Sequence, residues 1–136
     1  MKILVIDAQG GGIGKQVIAA VKRELPQAEI TAVGTNGIAT TAMLKAGADH
    51  AATGENAVVV GCRTADVIIG PIGIVIADAM FGEVTATMAV AVGQSPAKRL
   101  LIPINHCDNI IVGISDLSVG SLIGEVLKEI KAEVKL

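Results

Sequence analysis

A strand pattern, a glycine-rich turn and a helix pattern follow one another at the start of the chain. The segment KILVID (residues 2–7) is short, apolar and rich in β-branched side chains, which is typical of a strand buried on both faces. The segment GGGIGK (residues 10–15) follows it, and apolar residues then recur every fourth position at Ile13, Val17, Val21 and Leu25. That spacing puts them on one face of a helix. A strand and a helix joined this tightly predict a βα unit, and therefore an α/β protein.

The same alternation continues through the rest of the sequence. Pro26 ends the first helix, and residues 35–37 (TNG) have the chemistry of a turn. Further strands are predicted at 29–33, 50–52, 66–69 and 99–104, with a last edge strand at 110–114. Further helices are predicted at 38–46 and at 119–134. Another helix is predicted to begin after an N-cap at Thr53 and to end near Ala65. We therefore predict a single doubly wound α/β domain over residues 1–136, with a mainly parallel sheet of five to six strands and helices on both faces.

Composition and charge exclude several classes of protein. Apolar residues make up 51% of the chain and charged residues 18%, which excludes an intrinsically disordered chain. The net charge is -2 and there is no basic cluster, so we expect no nucleic-acid partner. The most apolar segment, 67–81, is interrupted by Pro71 and Asp78, whereas a spanning helix needs about 20 apolar residues. We therefore expect no membrane partner.

Cysteine and histidine are rare in this sequence. Cys62 and Cys107 are isolated, no Cys-x-x-Cys motif occurs, and no signal peptide precedes the first strand, so the expected location is the reducing cytoplasm. The histidines are His50 and His106 alone, and we expect no metal site. Cys62 falls within a helix pattern and is interpreted as a core residue.

The glycine-rich turn has the chemistry of a phosphate cradle. Glycine has no Cβ, so a ligand can approach the backbone closely, and N–H groups at the start of the next helix favour an anion. We therefore predict that residues 9–15 form a loop whose amides bind an anion, with the lysine reaching a phosphate: Gln9, Gly10, Gly11, Gly12, Ile13, Gly14 and Lys15. The alternative is a tight turn whose glycines let the helix pack against the sheet.

Known glycine motifs match this turn only in part. In the dinucleotide fingerprint G-x-G-x-x-G, the first two glycines fit but Lys15 takes the third position; in the Walker pattern, Gln9 and Gln16 replace the first glycine and the final hydroxyl. The turn resembles the Gly-Gly-x-Gly-Lys loop of the deviant-Walker ATPases, with Gly10 where their extra lysine is expected. It also resembles the Gly-Ile-Gly of short-chain dehydrogenases, but the chain has no tyrosine for their catalytic motif. The cofactor is left open, as a nucleotide or a dinucleotide.

Other unusual residues follow the remaining strands. In a doubly wound sheet the carboxyl ends of the strands share one edge, where ligands bind. Further candidate ligand-binding residues at this edge are Thr35, Asn36, Gly70, Pro71, Ile72, Gly73 and Asn105, and a second helix start could add Thr53, Glu55 and Asn56. A dinucleotide site also requires Asp or Glu near the end of the second strand, but GTN (residues 34–36) occupies that place. Asn36 could contact a ribose, although Asn-Gly is more typical of a turn.

The sequence does not assign a reaction. Candidate catalytic residues are Asp7, His106 and Cys107, because a histidine can act as a general base and a cysteine as a nucleophile. The pattern favours a polar loop at 105–108 instead, in which the asparagine caps a turn and the cysteine packs as a small hydrophobic residue. Asp7 could bind a metal or a ribose, or it could cap the glycine turn.

The segment 67–97 carries only two charged residues, Asp78 and Glu83. We interpret it as a strand, a helix opening at Pro71, a break at Gly82 and a second helix ending near residue 93. Its outer face would then be apolar, and soluble proteins seldom expose an apolar patch beyond a few hundred Å². We therefore predict a homodimer, or a higher even oligomer, through residues 72–92, with Val84 and Met88 as positions for a disrupting charge. The alternative is that loops of the same chain cover this face.

Four segments together resemble an uncharacterised bacterial family known only as a domain of unknown function: VIDAQGGGIGK, TGENAVVV, ADVIIGPIGI and SPAKRLLIPIN. The resemblance covers nearly the whole chain and implies a small cytoplasmic Rossmann-like domain. It does not assign an activity, a substrate or catalytic residues to this chain. Two functions remain as hypotheses. One is a domain that binds a nucleotide or another small phosphorylated ligand, with or without catalysis. The other is a non-catalytic oligomeric module with a structural or regulatory role.

Overall fold

One sheet of five parallel strands forms the centre of the protein. The computed structural model describes residues 1–104, 108–115 and 117–134. The strands are β1 (Lys2–Asp7), β2 (Glu29–Gly34), β3 (His50–Thr53), β4 (Val67–Pro71) and β5 (Lys98–Ile102). They lie in the order β3-β2-β1-β4-β5, and every neighbouring pair is parallel. The predicted doubly wound α/β fold is confirmed.

Helices cover both faces of this sheet. The helices are α1 (Gly12–Glu24), α2 (Gly37–Lys45), α3 (Glu55–Thr64), α4 (Ala86–Gln94) and α5 (Val119–Val134), with a short 3₁₀ helix at Ile72–Val75. Side chains of β1 alternate between two apolar clusters, because successive residues of a strand point to opposite faces. Ile3 and Val5 join the cluster with α1, α2 and α5, whereas Leu4 and Ile6 join the cluster with α3 and α4.

The strand order determines where a ligand site would form. β1 lies between β2 and β4, and the chain reverses its direction of travel across the sheet there, since β2 and β3 lie on one side and β4 and β5 on the other. Ligands of open α/β sheets bind beyond the carboxyl ends of the strands at such a switch. Asp7, the last residue of β1, is paired in register with Gly34, the last residue of β2. The connections after these two strands therefore begin side by side.

Two local predictions from the sequence are wrong. Residues 110–114 form turns and irregular chain rather than a strand, because Gly113 has a φ of 84° and the N–H of Ile114 donates to the Ile111 carbonyl. Thr53 is the last residue of β3 rather than an N-cap, and its Oγ1 lies 2.7 Å from the Oγ1 of Thr40. The residue before α3 is Gly54, whose φ of 103° is a conformation that glycine adopts readily.

The segment after β4 also differs from the prediction. Pro71 ends β4 instead of opening a long helix, and only one 3₁₀ turn follows it. The chain then forms a connection of turns at 76–85, in which Asp78, Met80 and Phe81 have φ values of 66°, 55° and 58°. Helix α4 begins behind Thr85, whose Oγ1 accepts a hydrogen bond from the N–H of Met88 at 3.1 Å. Only the second of the two predicted helices is therefore present.

Candidate functional site

The glycine turn is shorter than the sequence suggested. Helix α1 already begins at Gly12, so residues 12–15 are its first turn, and only residues 8–11 connect it to β1. Gly11 has a φ of 72°, and its N–H donates to the Ala8 carbonyl at 3.0 Å. Gln9 also has a left-handed backbone, with a φ of 53°. The prediction of a loop over 9–15 is therefore wrong in its second half, because those residues are helical.

Asp7 caps this connection from inside. Its side chain is buried, and its two oxygens accept hydrogen bonds from the N–H of Ala8 at 2.8 Å and of Gly14 at 2.7 Å. Burial raises the pKa of the Asp7 carboxyl above its usual range; these N–H groups act in the opposite direction, and the Glu83 charge adds to the increase. Of the two interpretations of Asp7, the structure therefore shows the cap of the glycine turn.

Two of the four glycines are required by the fold itself. A Cβ on Gly11 would lie 2.9 Å from the Cα of Ala39, and Gly11 also has a positive φ. A Cβ on Gly14 would lie 2.5 Å from the Sδ of Met43 and 3.0 Å from the Cβ of Asp7. These positions allow α1 to pack closely on α2 and on the end of β1. They account for part of the glycine run without any ligand.

The other two glycines have no such role. Gly10 and Gly12 both lack a left-handed φ, and a Cβ at either position would meet nothing within 4 Å. Their N–H groups donate to no group among the described residues. Both are exposed, and they line a cavity of about 260 Å³ together with Gln16, Met80 and Ile104. This cavity opens at the switch between β1 and β4.

Glu83 reaches this edge of the sheet from the connection at 76–85. Its Oε1 accepts three hydrogen bonds: from the N–H of Gln9 at 2.9 Å, from the Oγ1 of Thr35 at 2.7 Å and from the Nδ2 of Asn36 at 2.6 Å. Burial acts to raise the pKa of this carboxyl, but the three donors together hold it below its usual range. Glu83 therefore joins the connections that follow β1 and β2.

Thr35 and Asn36, both predicted site residues, form part of this junction. Besides their bonds to Glu83, the Asn36 Oδ1 accepts the N–H of Ala39 at 2.9 Å as the N-cap of α2. The Asn36 Nδ2 also donates to the Gln9 carbonyl at 3.0 Å. The turn interpretation of Asn36 thus agrees with the structure, and the side chain has an additional role in fixing the β1–α1 connection.

Lys15 lies on the neighbouring surface of α1. It lines an open groove of about 890 Å³ between α1 and α2, together with Asn36, Gly37, Ile38 and Lys45. The first turn of α1 contributes to both cavities, since residues 12–13 line the glycine cavity and residue 15 lines the groove. The lysine is exposed, and the structure shows no partner for its amine among the described residues.

The remaining predicted residues are distributed differently. Gly70 is buried in β4, where a Cβ would collide with the Ile6 carbonyl, and Gly70, Pro71, Ile72 and Gly73 line neither of these two cavities. At the start of α3, Glu55 accepts a hydrogen bond from the Thr85 Oγ1 at 2.7 Å and so contacts α4 rather than the glycine turn. Asn105, His106 and Cys107 lie outside the described residues, so the grouping of His106 and Cys107 with Asp7 stays a prediction.

Glu83 is the residue of this junction that the sequence did not reveal. The residue belongs to an apolar stretch in which Asp78 is the other charged residue, and such an isolated carboxylate is the one available signal. Its partners are 74, 48 and 47 positions away along the chain. A local pattern cannot identify contacts over that separation.

Within the described residues, no helix has both the length and the apolar character needed to cross a membrane.

The chain is similar to a solved structure and to a family model. A search of curated proteins finds no match to the chain. A solved structure, the crystal structure of a dodecameric FMN-dependent Ubix-like decarboxylase from Escherichia coli O157:H7, is similar at 16% identity and a TM-score of 0.47, over 100% of this chain and 95% of the other. A family model described as a domain of unknown function, DUF3842, matches residues 2–135, and the chain therefore belongs to that family, as its four segments predicted.

Proposed function

We propose that this protein binds a phosphorylated ligand, a nucleotide or dinucleotide, at the carboxyl edge of its sheet. The observation that carries the proposal is the pair of glycines at 10 and 12. The fold does not require glycine at either position, and both N–H groups are unpartnered within the described chain beside a cavity. Absence of a Cβ at such a position permits close approach of a ligand to the backbone.

The surroundings limit what these amides can hold. Asp7 and Glu83 already accept the N–H groups of Ala8, Gln9 and Gly14, so a full phosphate-binding loop is not available. Two amides at the positive end of α1 suit a single phosphoryl group. Lys15 in the first turn of the helix is a cation within the same region. The proposed ligand therefore presents one phosphate to residues 10–12 and its remaining groups to the neighbouring connections.

Titration of the ¹⁵N-labelled protein with ADP, NAD and pyrophosphate tests this proposal. We expect the amide signals of Gly10 and Gly12 to shift, and the melting temperature to rise, because a ligand that binds only the native state stabilises it by about 2.7 kcal/mol at a hundredfold excess over Kd. Gly12→Ala and Lys15→Ala should weaken the binding. Gly124→Ala on the exposed side of α5 is the matched control, since a Cβ there also meets nothing within 4 Å. Absence of a shift with all three compounds would contradict the proposal.

A second candidate function, the oligomeric module, has one specific observation in its favour. Phe81 is 98% exposed and Val90 is 52% exposed, and both belong to the segment 72–92. Exposed large apolar side chains on one connection and its following helix suit a contact between two copies of the chain. We propose a homodimer through this segment. We also propose that the protein acts in the cytoplasm, because the Cys62 thiol is free and a reducing compartment keeps thiols unpaired.

The structure changes the variants that test the dimer. Val84 and Met88 are buried within the chain, so a charge at either position would damage the core of the monomer. Val90→Asp is the better probe, and Lys128→Asp on α5 is a control at an exposed position outside the segment. Light scattering at micromolar concentration should give a dimer mass for the parent protein and the control, and a monomer mass for Val90→Asp. A monomer mass for the parent protein would refute the dimer.

A further inference from the structure

We propose that Glu83 recognises the hydroxyl groups of a ribose, so that the ligand of this edge is a nucleotide rather than a simple phosphate ester. The proposal rests on the phosphate site at residues 10–12 and adds to it the chemical class of the ligand. The end of β2 lacks an acidic residue that nucleotide sites of this kind usually have. An acidic residue near the end of the second strand is the group that binds ribose hydroxyls in sheets of this type, and the local sequence there has none.

The structure supplies a carboxylate at that place from another part of the chain. The Glu83 Oε1 is bonded to Thr35 and Asn36, the two residues that directly follow β2. The carboxylate therefore lies at the end of β2, although it belongs to the connection between β4 and α4. Its third donor is the N–H of Gln9, the residue before Gly10. The carboxylate thus contacts the residue that precedes the first of the open amides.

The two oxygens of this carboxylate are in different states. Oε1 accepts all three hydrogen bonds, which fix the position of the group. Oε2 has no hydrogen-bond partner among the described residues, and the side chain is only partly buried. A carboxylate oxygen without a donor is an acceptor for hydroxyl groups, and it repels a phosphate. This edge therefore offers donors for an anion at residues 10 and 12 and an acceptor for hydroxyls at residue 83.

The connection that carries Glu83 is braced from both sides. The N–H of Asp78 donates to the Val84 carbonyl at 2.8 Å, and the N–H of Val84 donates to the Ala79 carbonyl at 3.2 Å. Met80 and Val84 are buried in the apolar cluster beneath it. Because the backbone on either side of the residue is fixed in this way, the carboxylate is pre-organised, which reduces the entropy lost on binding.

Matched ligands separate this inference from the phosphate site. ADP and its 2′,3′-dideoxy analogue carry the same phosphates and the same base, so the difference between their affinities measures the contribution of the hydroxyls. We expect the wild-type protein to bind ADP about tenfold to a hundredfold more tightly, the range for hydrogen bonds to a charged group. Pyrophosphate, which has no ribose, tests the amides of residues 10 and 12 alone.

Glu83→Gln is the variant that isolates the second oxygen. Glutamine keeps one oxygen to accept the three donors and replaces the other by an NH₂ group, which cannot accept a hydroxyl hydrogen bond. We expect the preference for ADP over the dideoxy analogue to be lost and pyrophosphate binding to be retained. Asp78→Asn, in the same connection, is the matched control and should keep the preference. Calorimetric titration of the three proteins gives these affinities. If Glu83→Gln does not fold, equal binding of ADP and the dideoxy analogue by the wild-type protein would still overturn the inference.

Each other outcome has a distinct meaning. Equal affinity of the wild-type protein for ADP and the dideoxy analogue, with pyrophosphate still bound, would overturn the ribose inference and leave the phosphate site intact. Failure of both ADP and pyrophosphate to bind would overturn the proposed function itself. Tighter binding of both compounds by Glu83→Gln would show that the carboxylate blocks the site, and would also overturn the inference.

Discussion

The connection after β1 and the connection after β4 meet at the same edge of the sheet, but they are built in different ways. The first is short and is held by Asp7 through N–H groups one and seven residues away. The second, at 76–85, has three non-glycine residues in left-handed conformations and is joined to its neighbours through Glu83, across 47 to 74 positions of sequence. The first connection is therefore a local structure that the fold depends on, whereas the second is placed by the tertiary structure.

This difference predicts different consequences of mutation. Damage to the first connection removes contacts that hold α1 on the sheet, so it should lower the free energy of unfolding. Damage to the carboxylate of the second connection removes hydrogen bonds at the edge, in partly exposed surroundings, so it should affect binding more than stability. Three variants test this contrast, in order of decreasing effect on stability.

Asp7→Asn should have the largest effect. The asparagine amide keeps one acceptor, but its NH₂ group would face one of the two N–H donors that the carboxylate now accepts, at Ala8 and Gly14. Because the position is 3% exposed, water cannot replace the lost bond. The expected loss is about 2 kcal/mol, within the range for a buried donor left without a partner. Urea denaturation measures it, and an unchanged midpoint would show that Asp7 is not the cap of this connection.

The elements that the sequence predicted correctly have their determinants within a few residues. The apolar runs of β1 and β2, the four-residue spacing of α1 and the apolar stripe of α5 each lie within one element, and their predicted boundaries agree with the structure to within a residue or two. The β1–α1 turn is also predicted in the correct place, since Asp7 and its donors are close in sequence, but the second half of the predicted loop is the first turn of α1. Local patterns suffice where the stabilising contacts are local.

The elements that the sequence predicted wrongly depend on distant contacts or on single backbone conformations. Residues 72–82 have the composition of a buried helix, but Met80 and Val84 pack beneath a connection whose Glu83 bonds to Gln9, and this tertiary placement overrides helix propensity. Residues 110–114 have strand-like side chains, but the left-handed Gly113 interrupts an extended chain. At this edge of the sheet, the sequence predicted the turn at Thr35 and Asn36 and missed the carboxylate that joins them.

Gly14→Ala should have an intermediate effect, and Gly12→Ala is its matched control. The added methyl group at position 14 would collide with Met43 and with the Cβ of Asp7, so we expect a loss of about 1 to 2 kcal/mol from overpacking. At position 12 the methyl group meets nothing within 4 Å, and alanine favours the helix, so stability should be unchanged or up to about 1 kcal/mol higher. Thermal unfolding of both variants gives the comparison. Equal losses at the two positions would contradict the division of the glycines into a pair that the packing requires and a pair that it does not require.

Glu83→Gln should have the smallest effect on stability, and its effect should depend on pH. The fold lowers the pKa of the Glu83 carboxyl from 4.5 despite its partial burial, because Gln9, Thr35 and Asn36 donate hydrogen bonds to the ionised form. A lowered pKa means that the ionised carboxylate contributes stability above pH 4.5, and that this contribution is lost as the pH falls through the lower value of the folded state. We therefore expect wild-type protein to exceed Glu83→Gln by about 1 kcal/mol or less near pH 6, the net contribution of a partly exposed hydrogen-bonded group. The difference should shrink below pH 4.5. Asp7 titrates in both proteins, so its raised pKa largely cancels in the comparison. Urea denaturation of the two proteins at several pH values measures the difference, and a constant difference down to pH 3 would show that the ionised carboxylate does not hold the two connections together.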